Sequence, residues 1–223
     1  MQRGYRDLCR PRLQCMGDIH SRIIAAAAKA ELASLGFRRV GRSRLWLADR
    51  DSWLNVVEFT PSRWSKSVSL VNAAHWLWIG AGFMSFNEAI RSNCHANFET
   101  EDQFRSAACE IARAARTSAL AIEERFPSFN AIADFVVERA RSSPNRMGPS
   151  WWGYEAGIAS GLTGRVEEAS YFLQRVTDAR LSERAMSLLT LVVDSEAFKS
   201  KVNEIVVRER ARLKLELLDG SAF

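Results

Sequence analysis

The feature that most constrains the fold is a change in hydrophobic period along the chain. Between residues 37 and 79 apolar residues recur at alternate positions, and from Phe104 onward they recur every third or fourth. Alternation puts side chains on opposite faces of a strand, whereas the longer period lines them along one stripe of a helix. Segments 37–41, 44–49, 52–60 and 67–79 are short and rich in β-branched and aromatic residues. They are separated by Gly41-Arg42-Ser43, Asp49-Arg50-Asp51 and Thr60-Pro61-Ser62. Connections this short join antiparallel neighbours, so a four-stranded antiparallel meander is expected.

Helices flank this region. Asp18 is placed to cap a helix in which Ile19, Ile23, Ala26, Ala27, Ala30 and Leu35 repeat at helical spacing, and Gly36 supplies its stop. Residues 83–103 read as irregular and polar. Beyond them Phe104, Ala108, Ile111, Ala115, Ile122 and Phe126 form one apolar stripe. A second helix follows Ser128, and further helices are expected at about 150–162, 165–177, 182–194 and 196–217. The expected fold class is α+β: an N-terminal helix packed on a four-stranded antiparallel sheet, followed by an all-helical C-terminal half. The expected domains are a flexible tail at 1–15, a helix-plus-sheet domain at 16–100 and a helical domain at 101–223. Either Met16 is the natural start or residues 1–15 form a flexible arm.

Charge is unevenly spread. The net charge is +5, but Arg3, Arg6, Arg10 and Arg12 against Asp7 put much of it in the tail. Residues 37–66 hold seven basic and three acidic side chains, and residues 87–103 hold four acidic and one basic. A composition 47% hydrophobic and 26% charged excludes fibrous and disordered classes. No apolar run reaches the ~18 residues of a membrane span. Cys9, Cys15, Cys94 and Cys109 show no C-x-x-C spacing, which favours a reduced, cytoplasmic protein without a zinc site or disulfide framework.

Two resemblances follow from particular residues. The helix leading to Leu35-Gly36-Phe37-Arg38-Arg39-Val40-Gly41-Arg42, the strand Val56-Val57-Glu58-Phe59 and the turn Ser62-Arg63-Trp64-Ser65 resemble an uncharacterised bacterial family, domain of unknown function 4304. The match covers roughly residues 18–100. It implies a helix-plus-sheet fold and aligns Cys94-His95 with a similar pair after the sheet, but it implies no activity. By analogy with such small domains, it suggests an immunity or defence setting. Residues 150–178, with Ile158, Ala159 and Leu162 before Gly164 and Ala169, Phe172 and Leu173 after it, resemble a single tetratricopeptide-type hairpin.

Candidate chemistry is sparse. Of three histidines, His75 reads as a structural strand residue, and His20 has no catalytic context. Cys94 and His95 are neighbours whose side chains diverge, and a Cys109–His95 pair would need help from the fold. The carboxylate runs Glu99-Glu101-Asp102, Glu123-Glu124 and Glu167-Glu168 read as solvated. Glu58 interrupts an apolar strand and is expected on its solvent face. No H-E-x-x-H, P-loop or Rossmann glycine pattern occurs. No cofactor, metal or catalytic residue is assigned.

The strongest signal is aromatic. Trp46, Trp53, Trp64, Trp76 and Trp78 interleave with Arg42, Arg44, Arg50 and Arg63. Such a set can be a helix–sheet core, a partner surface or a base-stacking platform. The expected site is a partner-binding face made of these nine residues. The expected function is a non-enzymatic protein-binding module of a bacterial cytoplasmic system, of the immunity or defence-accessory kind. The alternative is a nucleic-acid-binding subunit using the same strands. Another protein is the expected partner, nucleic acid the second, and a membrane is not expected. Trp151-Trp152 forms a second aromatic feature, expected to anchor the helical half.

Overall fold

The computed structural model describes residues 10–62, 67–142 and 148–223. Two compact units are present. The first comprises Met1–Asp49, Asn55–Ala74 and Phe86–Ile122, and the second Arg50–Leu54, His75–Ser85 and Glu123–Phe223.

Helix α1 (Arg10–Leu32) begins before Asp18, which lies in the helix interior rather than at its cap. Residues 1–9 of the expected tail lie outside the described residues, and residues 10–15 are the first turns of α1. A 3-10 turn, Ala33–Leu35, follows and stops at Gly36, whose φ of 81° is the left-handed conformation a glycine adopts without penalty. Phe37 then closes the end by donating to the Leu32 carbonyl at 3.3 Å.

The sheet has five strands rather than four: β1 (Arg38–Arg39), β2 (Leu45–Arg50), β3 (Trp53–Pro61), β4 (Ser67–Trp76) and β5 (Glu88–Asn97), in spatial order β1-β2-β3-β4-β5. The first four confirm the meander. The fifth falls where an irregular segment was expected. β5 pairs antiparallel with β4 from Ser67↔Asn97 to Ala74↔Glu88. It is an edge strand, so it needs no continuous apolar face. Its register also shifts between Ser69 (opposite His95) and Val71 (opposite Arg91), and that bulge breaks the alternation which identifies a strand by sequence. β4 is shorter than expected. After Trp76 the chain enters a 3-10 turn, Leu77–Ile79, that ends on Gly80 at φ 64°.

A hydrophobic core joins the helices and sheet of the first unit. Ile23, Ile24, Ala28 and Leu32 of α1 and Phe104, Ala108, Ile111, Ala115 and Ala119 of α2 (Glu101–Arg125) pack with Trp46, Val57, Phe59, Val68 and Leu70 of the sheet. The alanine stripe on α2 keeps that helix close to the sheet. Asn55, fully buried, donates from Nδ2 to the Ala119 carbonyl at 2.9 Å, satisfying a polar group the core would otherwise penalise. At its start, Thr100 Oγ1 accepts from Gln103 N and Gln103 Oε1 accepts from Glu99 N, a variant of the capping box.

The second unit holds α3 (Phe129–Ser142), α4 (Gly148–Leu162), α5 (Val166–Leu173), α6 (Ser182–Leu189) and α7 (Ser195–Leu213). Its helices confirm the all-helical half, and α4 and α5 form the expected hairpin across Gly164, whose φ is 75°. Two glycines of α4 admit its neighbours. A Cβ on Gly157 would stand 2.7 Å from Leu173 of α5, and one on Gly161 would stand 2.4 Å from Phe198 of α7. Among the described residues no helix is long and apolar enough to cross a membrane.

Candidate functional site

The structure disperses the expected Trp/Arg face. Trp46 is 4% exposed in the core of the first unit, and Trp53, Trp76 and Trp78 are buried in the second. There Trp76 and Trp78 stack with centroids 6.2 Å apart, and Trp53 meets Trp76 edge-on at 5.8 Å. Phe126 closes on Trp76 at 5.2 Å. These tryptophans are therefore core residues, not a partner surface or a stacking platform. The physical reason is size: each indole removes roughly 150–250 Å² from water, and burial competes for the same residues that an interface would use. Arg50 is ion-paired with Glu123. Arg63 and Trp64 lie outside the described residues.

Arg42 and Arg44 remain accessible beside Arg39 at the β1–β2 hairpin. Arg39 donates from Nε to the Ser43 carbonyl at 2.6 Å and from Nη2 to the Arg42 carbonyl at 2.9 Å. Arg44 is half-buried and donates to Ser21 Oγ at 3.3 Å. Burial, then the nearby Arg39 charge, pushes its pKa down. Among the described residues none of Arg39, Arg42 and Arg44 has a carboxylate partner.

The exposed aromatics lie elsewhere. Phe83, 52% exposed, packs edge-on against Trp151 with centroids 6.3 Å apart. Trp151 is half-buried and donates its indole N–H to Asp178 Oδ2 at 3.2 Å. Asp178 in turn accepts from Arg180 Nε at 2.9 Å and Nη2 at 2.6 Å, and the Arg180 guanidinium lies 5.2 Å over the Trp151 ring. The hydrogen bonds from Arg180 hold the Asp178 carboxyl well below the usual carboxylate range. Trp151, Asp178 and Arg180 are thus tied together beside a Phe83 ring about half of which is exposed. On α5, Tyr171 is exposed too, with Arg175 stacked 3.7 Å over its ring. Trp151 was legible in sequence as an anchor, but Phe83 was hidden in a segment that reads as polar.

A cavity of about 600 Å³ lies in the second unit between α6, α7 and the Gly80–Gly82 turn. Leu188 and Ile205 are its apolar lining, and Arg184, Lys201, Arg208 and Arg212 its cations. On α7, Lys201, Ile205, Arg208 and Arg212 share one face because they are spaced by three or four residues. Two charged residues of α7 lie inside the unit, Glu209 at 4% and Arg210 at 2% exposed.

Cys94 and Cys109 are free and exposed. His75 is buried, with Nδ1 accepting from Ser85 N at 3.2 Å, as a structural histidine would. His20 lies between Phe98 and Phe104, with ring centroids at 3.8 and 4.8 Å. Glu58 is half-buried between the buried Val57 and Phe59. Among the described residues no three His, Cys, Asp or Glu side chains are grouped as a metal ion requires. The chain matches no protein-family model, no curated protein and no solved structure.

Proposed function

We propose that the protein is a non-enzymatic protein-binding module whose receiving surface is the Phe83–Trp151–Arg180 cluster of the second unit. One observation carries this proposal: an exposed phenyl ring is held in place by an indole that is itself hydrogen-bonded and stacked. Ordering a surface before binding removes much of the entropic cost of association. Tryptophan and arginine are also the side chains that most often dominate interface energetics. The partner that fits is a protein segment offering an apolar side chain to Phe83 and acceptors to the exposed Arg180.

The proposal extends to a cytoplasmic setting, supported by the free thiols of Cys94 and Cys109. It also takes in membership of the uncharacterised bacterial family and a defence-accessory role, for which the pattern in residues 18–100 is the support. A second reading, nucleic-acid binding, is favoured by the uncompensated Arg39, Arg42 and Arg44 of the β1–β2 hairpin. Binding through those arginines weakens with a log–log salt slope of about −0.9 per phosphate neutralised, whereas an aromatic interface responds little.

The experiment is capture of partners from cells expressing the tagged protein, with and without nuclease. A specific protein retained after nuclease by the wild type, and lost by Trp151→Ala, is the expected result. Loss of all specific partners on nuclease treatment favours the second reading.

A further inference from the structure

We infer that the cavity between α6 and α7 is a binding site for a small phosphorylated molecule carrying an apolar moiety. Its volume, about 600 Å³, lies within the ~300–1,000 Å³ of small-ligand sites. This site is separate in residues and chemistry from the Phe83–Trp151 surface.

Charge sets the ligand class. Four cations, Arg184, Lys201, Arg208 and Arg212, line the cavity against two carboxylates, Glu183 and Glu209. The excess of two positive charges matches a phosphomonoester dianion better than a single carboxylate. Arg208 is exposed, and among the described residues it has no ion-pair partner. Among the described residues Lys201 pairs with Glu204 alone, an exposed pair of little strength.

Geometry makes the cations a built arrangement rather than a scatter of surface charge. Arg184 donates from Nη1 to the Gly80 carbonyl at 2.5 Å, which aims its guanidinium at the cavity wall. The turn that presents this carbonyl requires glycine, because a Cβ at Gly80 would stand 2.7 Å from Ile205 Cγ2 and its φ is 64°. Arg212 is fixed by the buried Glu209, which accepts from Nε at 2.9 Å and Nη2 at 2.6 Å. Guanidiniums held by other groups recognise planar or tetrahedral oxyanions without losing further rotamer freedom. Leu188 and Ile205 supply the apolar floor beside them.

The test is a titration of the full chain with phenyl phosphate, followed by 1H–15N chemical shifts, with inorganic phosphate, benzoate and phenol as comparators. Saturable shifts at Gly80, Gly82, Ser187 and Arg208 are expected. Phenyl phosphate should bind about tenfold tighter than either inorganic phosphate, which lacks the apolar ring, or benzoate, which carries a single negative charge in place of a dianion. Arg208→Gln, an exposed substitution whose folding is checked by an unchanged melting temperature, should weaken phenyl phosphate about tenfold and phenol not at all. Shifts spread over arginines outside the cavity, or equal binding to wild type and Arg208→Gln, would overturn the assignment. A phosphoserine peptide binding at the same residues more than tenfold tighter than phenyl phosphate would overturn it too, assigning the cavity to a protein's phosphoryl group.

Discussion

The guanidinium of Arg210 on α7 donates from Nη1 to the carbonyl of Asp51, at 2.8 Å, across 159 residues of sequence. Asp51 is one of two described non-glycine residues with positive φ, at 59°, and it makes the tight turn between β2 and β3. The same guanidinium donates from Nε and Nη2 to the Glu216 carbonyl at 2.8 and 2.6 Å. One buried cation thus satisfies two backbone segments of the second unit and holds a turn that an L-residue does not prefer.

Removing it should be costly. Arg210→Gln leaves carbonyls of Asp51 and Glu216 unsatisfied and is expected to destabilise by about 3 kcal/mol, or roughly 6–12 °C in a chain of this size. Arg210→Lys should recover less than half, because an ammonium does not reproduce the planar fork. Thermal denaturation checks both. A loss below about 1 kcal/mol for Arg210→Gln would mean that the contacts are incidental.

Gly161 is a packing residue. Its missing side chain lets Phe198 approach so closely that a Cβ would stand 2.4 Å from Cζ. Gly161→Ala should therefore destabilise by about 1–3 kcal/mol, although alanine favours a helix intrinsically. Adding Phe198→Leu should return part of the loss, a positive coupling that a double-mutant cycle reads directly. Simple additivity would show that the two positions do not press on each other.

Tyr154 is fully buried, and its hydroxyl has no hydrogen-bond partner among the described residues. Burial pushes its pKa up to about 12. Because the folded value lies above the unfolded one, the folded state holds the proton longer. Stability is unaffected below about pH 10 and falls as pH rises from there towards 12. Absorbance titration of phenolate should show a late step that Tyr154→Phe abolishes. The same substitution should be neutral or stabilising near pH 7, since it removes an unpaired polar group.

Asp178 behaves in the opposite sense. Its carboxyl is held low chiefly by the hydrogen bonds from Arg180, so its contribution is present above about pH 4 and is lost as pH falls further. Asp178→Asn should flatten the acid limb of the stability curve by bringing neutral stability down towards its acid value, a small change because the pair faces solvent. It should also free the Trp151 ring, seen as a shift in tryptophan emission.

Much of the fold is legible in the sequence because it follows local periodicity. Val56, Val57 and Phe59 mark a strand, Gly36 and Gly164 mark helix ends, and Phe104 to Phe126 trace one helix. β5 escapes because an edge strand with a bulge shows neither alternation nor an apolar run. The site is less legible. Trp46, Trp53, Trp76 and Trp78 carry the composition of an interface and the burial of a core, and only packing separates the two. Phe83, Trp151 and Arg180 come together from three distant segments, as do Gly80, Arg184 and Arg208. No spacing rule along the chain encodes such groupings. Arg210 is illegible for a related reason: nothing in the alternating charge of α7 marks the one guanidinium that the Asp51 carbonyl meets.

The most direct measurement is the affinity of the captured protein partner for the wild type, for Phe83→Ser and for the hairpin double variant Arg42→Glu/Arg44→Glu, by calorimetry at two salt concentrations. Phe83 is exposed, so its substitution leaves the fold intact while removing the apolar ring. The expected result is at least a tenfold loss for Phe83→Ser, equivalent to ~1.4 kcal/mol, with the hairpin variant and the salt change having little effect. Wild-type affinity in Phe83→Ser together with steep loss in the hairpin variant would contradict the assignment of the binding surface to the second unit.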